Sequence, residues 1–157
     1  MTWTALVATL LGAMIATGSA LLVEVRRDRR ATAAEWRQSR RELYGAFLGA
    51  MTRARSELYT LARDSHVQEN ERTHLARTTF AECYESRYEL EVFAPESVVR
   101  PALEYFRAVR RVRDAVAAGA SHAAMDANGL PTAVTDTLRL ARDAMRKDMK
   151  TDAITTD

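Results

Sequence analysis

Cysteine and histidine, two residue types that often build active sites, are scarce in this sequence of 157 residues. It holds a single cysteine, Cys83, and three histidines, His66, His74 and His122. A lone cysteine cannot form a disulfide within the chain. No two histidines are three or four positions apart, which is the spacing that presents two metal ligands on one helix face. The sequence therefore predicts no disulfide framework, no metal site and no cofactor.

Signatures of catalysis are also missing. The sequence has no phosphate-binding glycine loop, no G-x-S-x-G and no H-E-x-x-H. Glu82, Glu85 and Glu89 share a helix face, but this spacing is ordinary for acids that face solvent or pair with arginine. Cys83 falls on an apolar face, where a thiol packs as a small hydrophobic group. We expect no enzymatic activity and no small-molecule substrate.

Helix breakers are few, with three prolines and six glycines. Alanine, arginine, glutamate and leucine, which favour helices, are abundant, and no segment alternates between polar and apolar residues as a strand does. The sequence predicts an all-α fold. It consists of an N-terminal transmembrane helix continuous with a long first helix of an antiparallel three- to four-helix bundle.

Charged side chains are absent from the first 23 residues. As a helix this run is about 34 Å long, enough for a hydrocarbon core of about 30 Å. The competing interpretation is a cleaved signal peptide, which needs a positive N-terminal region and a shorter apolar run. The pattern favours an uncleaved membrane anchor at residues 1–25.

A basic juxtamembrane segment, residues 26–35, follows the anchor. Arg26, Arg27, Arg29 and Arg30 lie just beyond the apolar run. Since positive residues stay on the cytoplasmic side, they place the N-terminus outside and the rest of the chain in the cytoplasm. We expect these four side chains to fix the topology of a cell-membrane protein and to contact lipid headgroups.

Small residues recur every fourth position within the apolar run, at Ala8, Gly12, Ala16 and Ala20. This spacing lets two membrane helices approach closely and dimerise. The alternative interpretation is that alanine and glycine are simply common in this composition.

Residues 36–150 are predicted to form the cytoplasmic bundle, and residues 151–157 a polar tail. Four blocks show helical periodicity, separated by breaks near residues 63–70, at Ala94–Pro95 and across residues 117–131. The third block has the seam of a coiled coil, with spacings of four and three. The apolar positions are Trp36, Leu43, Phe47, Met51, Ala54, Leu58 and Leu61 in the first block; Leu75, Thr79, Cys83, Leu90 and Phe93 in the second, with Phe80, Tyr84 and Tyr88 widening this face; Val98, Ala102, Tyr105, Val109, Val112 and Val116 in the third; and Val134, Leu138, Ala141, Met145 and Met149 in the fourth.

Charge is unevenly distributed along the chain, although its net value is only +2. Residues 26–66 hold ten arginines against five acids, and residues 67–94 hold three arginines against six glutamates. The first segment is thus positive and the second negative, which suggests that they pair with each other. A net charge this small does not indicate a nucleic-acid partner.

An aromatic and arginine motif opens the predicted bundle. Its residues are Trp36, Arg37, Arg40, Arg41, Tyr44 and Phe47. The arginines either pair with glutamates of the second helix or form a binding surface, and the sequence leaves both interpretations open.

With this motif the chain resembles a set of short, mostly uncharacterised actinobacterial proteins. These have one N-terminal membrane helix, a basic stop, and a Trp-Arg-x-x-Arg-Arg-x-x-Tyr-x-x-Phe-like motif that opens a helical domain. Some of them are similar to kil-type membrane proteins of conjugative plasmids. The resemblance implies a cytoplasmic helical domain on a single-pass membrane stalk, and no catalytic residues.

The leading functional hypothesis is a non-enzymatic single-pass membrane protein that presents a cytoplasmic helical interaction or scaffold module. The expected partners are membrane lipid and either a second copy of the chain or another protein. The alternative hypothesis is a membrane-active or lipid-sensing effector, such as a toxic factor of plasmid or phage origin.

Overall fold

The computed structural model describes Trp3 and residues 35–149. The chain divides into two compact units, Met1–Ser39 and Arg40–Asp157, and the fold below is that of the second unit. The predicted anchor, its small-residue face, the four juxtamembrane arginines and the polar tail lie outside the described residues, apart from Trp3. Among the helices that the structure describes, none combines the length and the apolar character needed to cross a membrane. The single-pass topology therefore stays a prediction.

Six helices make up the described part of the chain, and no strand occurs between residues 35 and 149. They are α1 (residues 35–63), α2 (Glu69–Thr79), α3 (Ala81–Phe93), α4 (Glu96–Ala117), α5 (His122–Ala127) and α6 (Leu130–Asp148). The predicted all-α fold class is confirmed.

The long helices pack as an antiparallel bundle. The Thr73 hydroxyl near the start of α2 donates to the carbonyl of Ala117 at the end of α4, so these two helices run in opposite directions. On α1, Glu57 contacts Thr79 and Arg53 contacts Glu82, so α1 is antiparallel to α2 and α3. Going along the chain, α1 and α4 run one way, while the α2–α3 pair and α6 run the other.

Helix α4 lies at the centre of the core. All six residues of its predicted seam are fully buried, and so are the adjacent Phe106 and Ala108. The predicted apolar positions that are buried are Phe47, Met51, Ala54 and Leu58 of α1, Phe80, Cys83 and Leu90 of the second block, the six seam residues of α4, and Val134, Ala141 and Met145 of α6. The helical bundle predicted from these stripes is confirmed.

The second helical block is not one helix, and this part of the prediction is wrong. The chain turns at Phe80, whose N–H bonds to the carbonyl of Arg77, three positions back, at 3.3 Å. The Phe80 ring is fully buried, with its centroid 5.2 Å from that of Phe106. Leu75, Tyr88 and Phe93, predicted to lie on the buried face, are 38%, 57% and 64% exposed. The buried positions are instead Ala76, Phe80, Cys83 and Leu90, which keep spacings of four, three and seven across the turn.

The segment between α4 and α6 was predicted to be a loop, but it contains the short helix α5. The Ser121 hydroxyl oxygen accepts a hydrogen bond from the N–H of Ala124 and caps this helix. Met125 inserts into the core. Gly129, with φ of 67°, then turns the chain into α6. A pattern search misses α5 because a helix of six residues is too short to show a period.

Candidate functional site: a polar cluster and the outer face of α3

A polar cluster joins α1, the first helix of the bundle, to α6, the last. Arg40 and Tyr44 are one helical turn apart on α1, and Asp148 is the last residue of α6. The Tyr44 hydroxyl donates to Oδ2 of Asp148 at 2.6 Å. Nη1 of Arg40 donates to the same carboxylate oxygen at 2.6 Å and to the Tyr44 hydroxyl at 2.8 Å. All three side chains therefore hold one another in place.

Burial controls the electrostatics of this cluster. Tyr44 is 2% exposed. Burial, reinforced by the hydrogen bond to Asp148, raises the pKa of Tyr44 to about 12. At neutral pH the hydroxyl therefore keeps its proton and acts as a donor, rather than as a base. The geometry is that of a clamp between α1 and α6.

The arginine motif pairs within the fold at Arg40, but the expected partner was wrong. Its carboxylate comes from Asp148 on α6, and not from a glutamate of the second predicted helix. The expected pairing of the basic and acidic segments occurs instead at Arg53 and Glu82, 3.0 Å apart. Both of those side chains are about two-thirds exposed, and an exposed pair contributes at most about 1 kcal/mol.

Other members of the motif divide between the core and the surface. Phe47 is fully buried and meets Tyr105 edge to face, with 6.4 Å between ring centroids. Trp36, predicted to belong to the apolar stripe, is 60% exposed. Arg37 and Arg41 are exposed. The motif thus supplies one core residue and one clamp, and it leaves two cations at the surface.

A second feature is an acidic and aromatic surface on α3. The sequence placed its glutamates on one helix face but predicted Tyr88 and Phe93 to lie on the buried face. This surface consists of Glu85, Tyr88, Glu89, Val92 and Phe93, called here the α3 outer face. Tyr88 is 57% exposed, Val92 73% and Phe93 64%. The two glutamates are exposed beside them.

The opposite side of α3 packs against the rest of the bundle. Cys83 and Leu90 are fully buried, and the hydroxyl of the buried Ser86 donates to the carbonyl of Cys83. Towards α4, the Tyr84 hydroxyl accepts from Nη1 of Arg113 at 2.8 Å. The apolar side chains of the α3 outer face are therefore not needed for the core, and they remain available for contact with another molecule.

The groups with potential reactivity are held in unreactive settings. Burial raises the pKa of the Cys83 thiol to about 11, so at neutral pH it is not a thiolate. His122 lies on α5 between Asp126, 3.0 Å from Nδ1, and Arg63, 3.4 Å from Nε2. Between residues 35 and 149, no three histidine, cysteine or acidic side chains are grouped to hold a metal ion.

A shallow groove of about 320 Å³ lies between α1 and α2. Leu61 and Leu75 supply its apolar surface, and Glu57 and Asp64 supply acidic groups. This volume is near the lower limit for small-ligand pockets. Oε2 of Glu57 is occupied by the hydroxyl of Thr79, at 3.2 Å.

These features define a class: an all-α bundle with a buried polar clamp and an exposed acidic and aromatic face. Comparisons with models of protein families, with curated proteins and with solved structures find no match. The resemblance to actinobacterial membrane proteins therefore stays a prediction from the sequence motif.

Proposed function

We propose that this chain is a non-enzymatic single-pass membrane protein whose helical bundle serves as an interaction or scaffold module in the cytoplasm. The observation that carries the proposal is the α3 outer face. Three large apolar side chains within six positions are exposed there, on a helix whose other side is well packed.

Burial of this surface favours association. Removing apolar area from water contributes about 25 cal/mol per Å². Single exposed hydrophobic residues are ordinary on protein surfaces, but a contiguous group rimmed by charged residues is typical of a binding site. Tyr88 also belongs to a residue type that is enriched at interfaces. The α3 outer face has this composition, with glutamates beside the apolar side chains.

The membrane part of the proposal rests on the sequence. The uncharged run of the first 23 residues and the arginines that follow it have the order of an anchor and its cytoplasmic flank. Fractionation of cells that express the full chain, with and without residues 1–25, tests this part. We expect the full chain in the membrane fraction. Recovery of the full chain in the soluble fraction would contradict the anchor.

Site-specific photocrosslinking tests the module. A photoreactive residue replaces Val92 in one variant of the full chain, and exposed Thr135 of α6 in a control variant. We expect a discrete crosslinked protein from position 92 and little from position 135. Equal labelling at both positions, or none at either, would remove the α3 outer face as a binding surface.

A membrane-active effector is a second candidate. Seven arginines within residues 24–41, next to an apolar run, favour contact with anionic lipid. Induced expression of the full chain, compared with a variant in which Arg26, Arg27, Arg29 and Arg30 are glutamine, tests this candidate. Growth arrest by the intact chain alone supports it, and unimpaired growth rejects it.

A further inference from the structure

We propose that the α3 outer face binds the arginine-rich segment at the start of α1 in a second copy of this chain, residues 35–41, so that the protein associates with itself through unlike charges. The inference rests on the proposed function and names the partner of the interaction module. It also gives partners, in a second copy, to charges of the basic and acidic segments that are not paired within the bundle.

The acidic side of the contact consists of the two carboxylates of α3 that make no ion pair or hydrogen bond within residues 35–149. Glu82 pairs with Arg53 and Glu91 pairs with Arg87. Within residues 35–149, Glu85 and Glu89 take part in neither an ion pair nor a hydrogen bond. Since they are one helical turn apart, both lie on the same side of α3.

The basic side has the same geometry. Arg37 and Arg41 are exposed, are one turn apart, and have no ion-pair partner between residues 35 and 149. Residues four apart on a helix are separated by about 6 Å along its axis. Two helices that lie side by side can therefore pair both arginines with both glutamates at once. Residues 35–41 carry three arginines against one acid, so the charge of this segment opposes that of α3.

Aromatic side chains add a second reason for this pairing. A guanidinium group stacks on an aromatic face, which is a contact that lysine makes less well. The bundle already uses it internally: Cζ of Arg113 lies 5.0 Å from the centroid of Phe80, and Cζ of Arg87 lies 5.1 Å from that of Phe106. On the surface, Phe93 offers an exposed ring to an incoming arginine. The exposed Tyr88 ring already has Cζ of Arg87 at 5.4 Å from its centroid, which leaves its other face for such a contact.

A second copy is the occupant that matches both surfaces. Each copy carries one acidic and aromatic face and one arginine-rich segment, so two copies can exchange them reciprocally. The result is a closed dimer with two identical contacts. Exchange doubles the buried area, and anchoring in one membrane raises the effective concentration of the partners.

Charge reversal with complementation tests this inference. One variant of the full chain carries Arg37→Glu and Arg41→Glu, and the other carries Glu85→Arg and Glu89→Arg. Association is measured as energy transfer between two fluorescently labelled populations in detergent micelles. We expect each variant alone to associate at least about tenfold more weakly than the wild type, because like charges then face each other. Mixing the two variants restores unlike charges in both contacts, and we expect it to restore association.

The control is Arg110→Glu with Arg111→Glu, a change of the same sign on exposed positions of α4. Its association should equal that of the wild type. Unchanged association in both test variants overturns the inference, and so does a loss that mixing does not restore. A wild type that does not associate at all also overturns it. In that case, a crosslink from position 92 to a different protein would still support the interaction module.

Discussion

Tyr44 and Asp148 are hydrogen bonded at 2.6 Å, although 104 positions separate them in the sequence. This bond and the one from Arg40 to the same carboxylate oxygen connect the first long helix to the last residue of α6. A third bond, from Arg40 to the Tyr44 hydroxyl, lies within α1. The helices that begin and end the bundle are thus joined by charge-assisted hydrogen bonds, which are stronger than neutral ones.

Replacement of Asp148 by alanine should destabilise the bundle. It leaves the buried Tyr44 hydroxyl and the guanidinium of Arg40 without their shared acceptor, which costs about 1–3 kcal/mol. Urea unfolding followed by circular dichroism measures the free energy of unfolding. The control is Asp143→Ala, at an exposed position of the same helix. Equal stabilities of the two variants would show that the cluster is not a clamp.

Alkaline pH should weaken the contribution of Tyr44. The pKa of this hydroxyl is raised from 10.0 to about 12 in the folded chain. Its stabilising effect is fully present below pH 10 and is lost as pH rises towards 12, because only the unfolded tyrosine loses its proton in that interval. The slope from one such group is about 1.4 kcal/mol per pH unit.

Comparison with Tyr44→Phe isolates this titration, since both proteins keep their other tyrosines. Below pH 10 the wild type should be the more stable protein. The difference between their free energies of unfolding should narrow as pH rises from 10 to 12. A difference that stays constant across this interval would contradict the raised pKa.

Two phenylalanines at opposite ends of α3 should respond differently to truncation. Phe80 is fully buried against Phe106, whereas Phe93 is 64% exposed. Phe80→Ala should cost about 3–5 kcal/mol, as is typical of a buried phenylalanine. Phe93→Ala should change stability by less than about 0.5 kcal/mol. Urea unfolding of both variants checks this, and a large loss from Phe93→Ala would mean that the α3 outer face belongs to the core.

Cys83 should be protected from thiol reagents in the native state. Its side chain is fully buried and its pKa is raised to about 11, while only the exposed thiolate reacts rapidly. Labelling should become fast when urea unfolds the chain. In a Cys83→Ala background, Glu85→Cys places a thiol two positions away at the surface, and it should react without urea. Rapid labelling of native Cys83 would require an open path into the core.

The sequence predicted the features that depend on local periodicity. Spacings of four and three identified the seam of α4, with Tyr105 and Val109 among its buried residues. The stripe of α1 was found in the same way, because a side chain on a regular helix returns to one face after each turn or two. Phe93 was misplaced because the stripe counted from Leu75 lies one position away from the buried face, which Ala76 and Phe80 begin.

The break at Phe80 could not be found by such counting. Neither proline nor glycine marks it, and the turn exists because the ring of Phe80 packs against Phe106 on another helix. The carboxylate that accepts from Arg40 could not be predicted from the sequence either, because every acid of the chain is a chemically suitable partner. Its choice of Asp148 depends on where α6 ends.

By itself, the sequence determined the helical class of this protein, most of its buried stripes and the segregation of its charges, since these follow from residue types at fixed spacings. The tertiary structure decided which charged side chains pair within the bundle and which stay exposed at its surface. Arg40 is bound by Asp148 because the start of α1 lies beside the end of α6. Glu85 and Glu89 face outward because Cys83, Ser86 and Leu90 occupy the side of α3 that packs in the core. Partners across the bundle are fixed by packing in three dimensions, which no local pattern encodes.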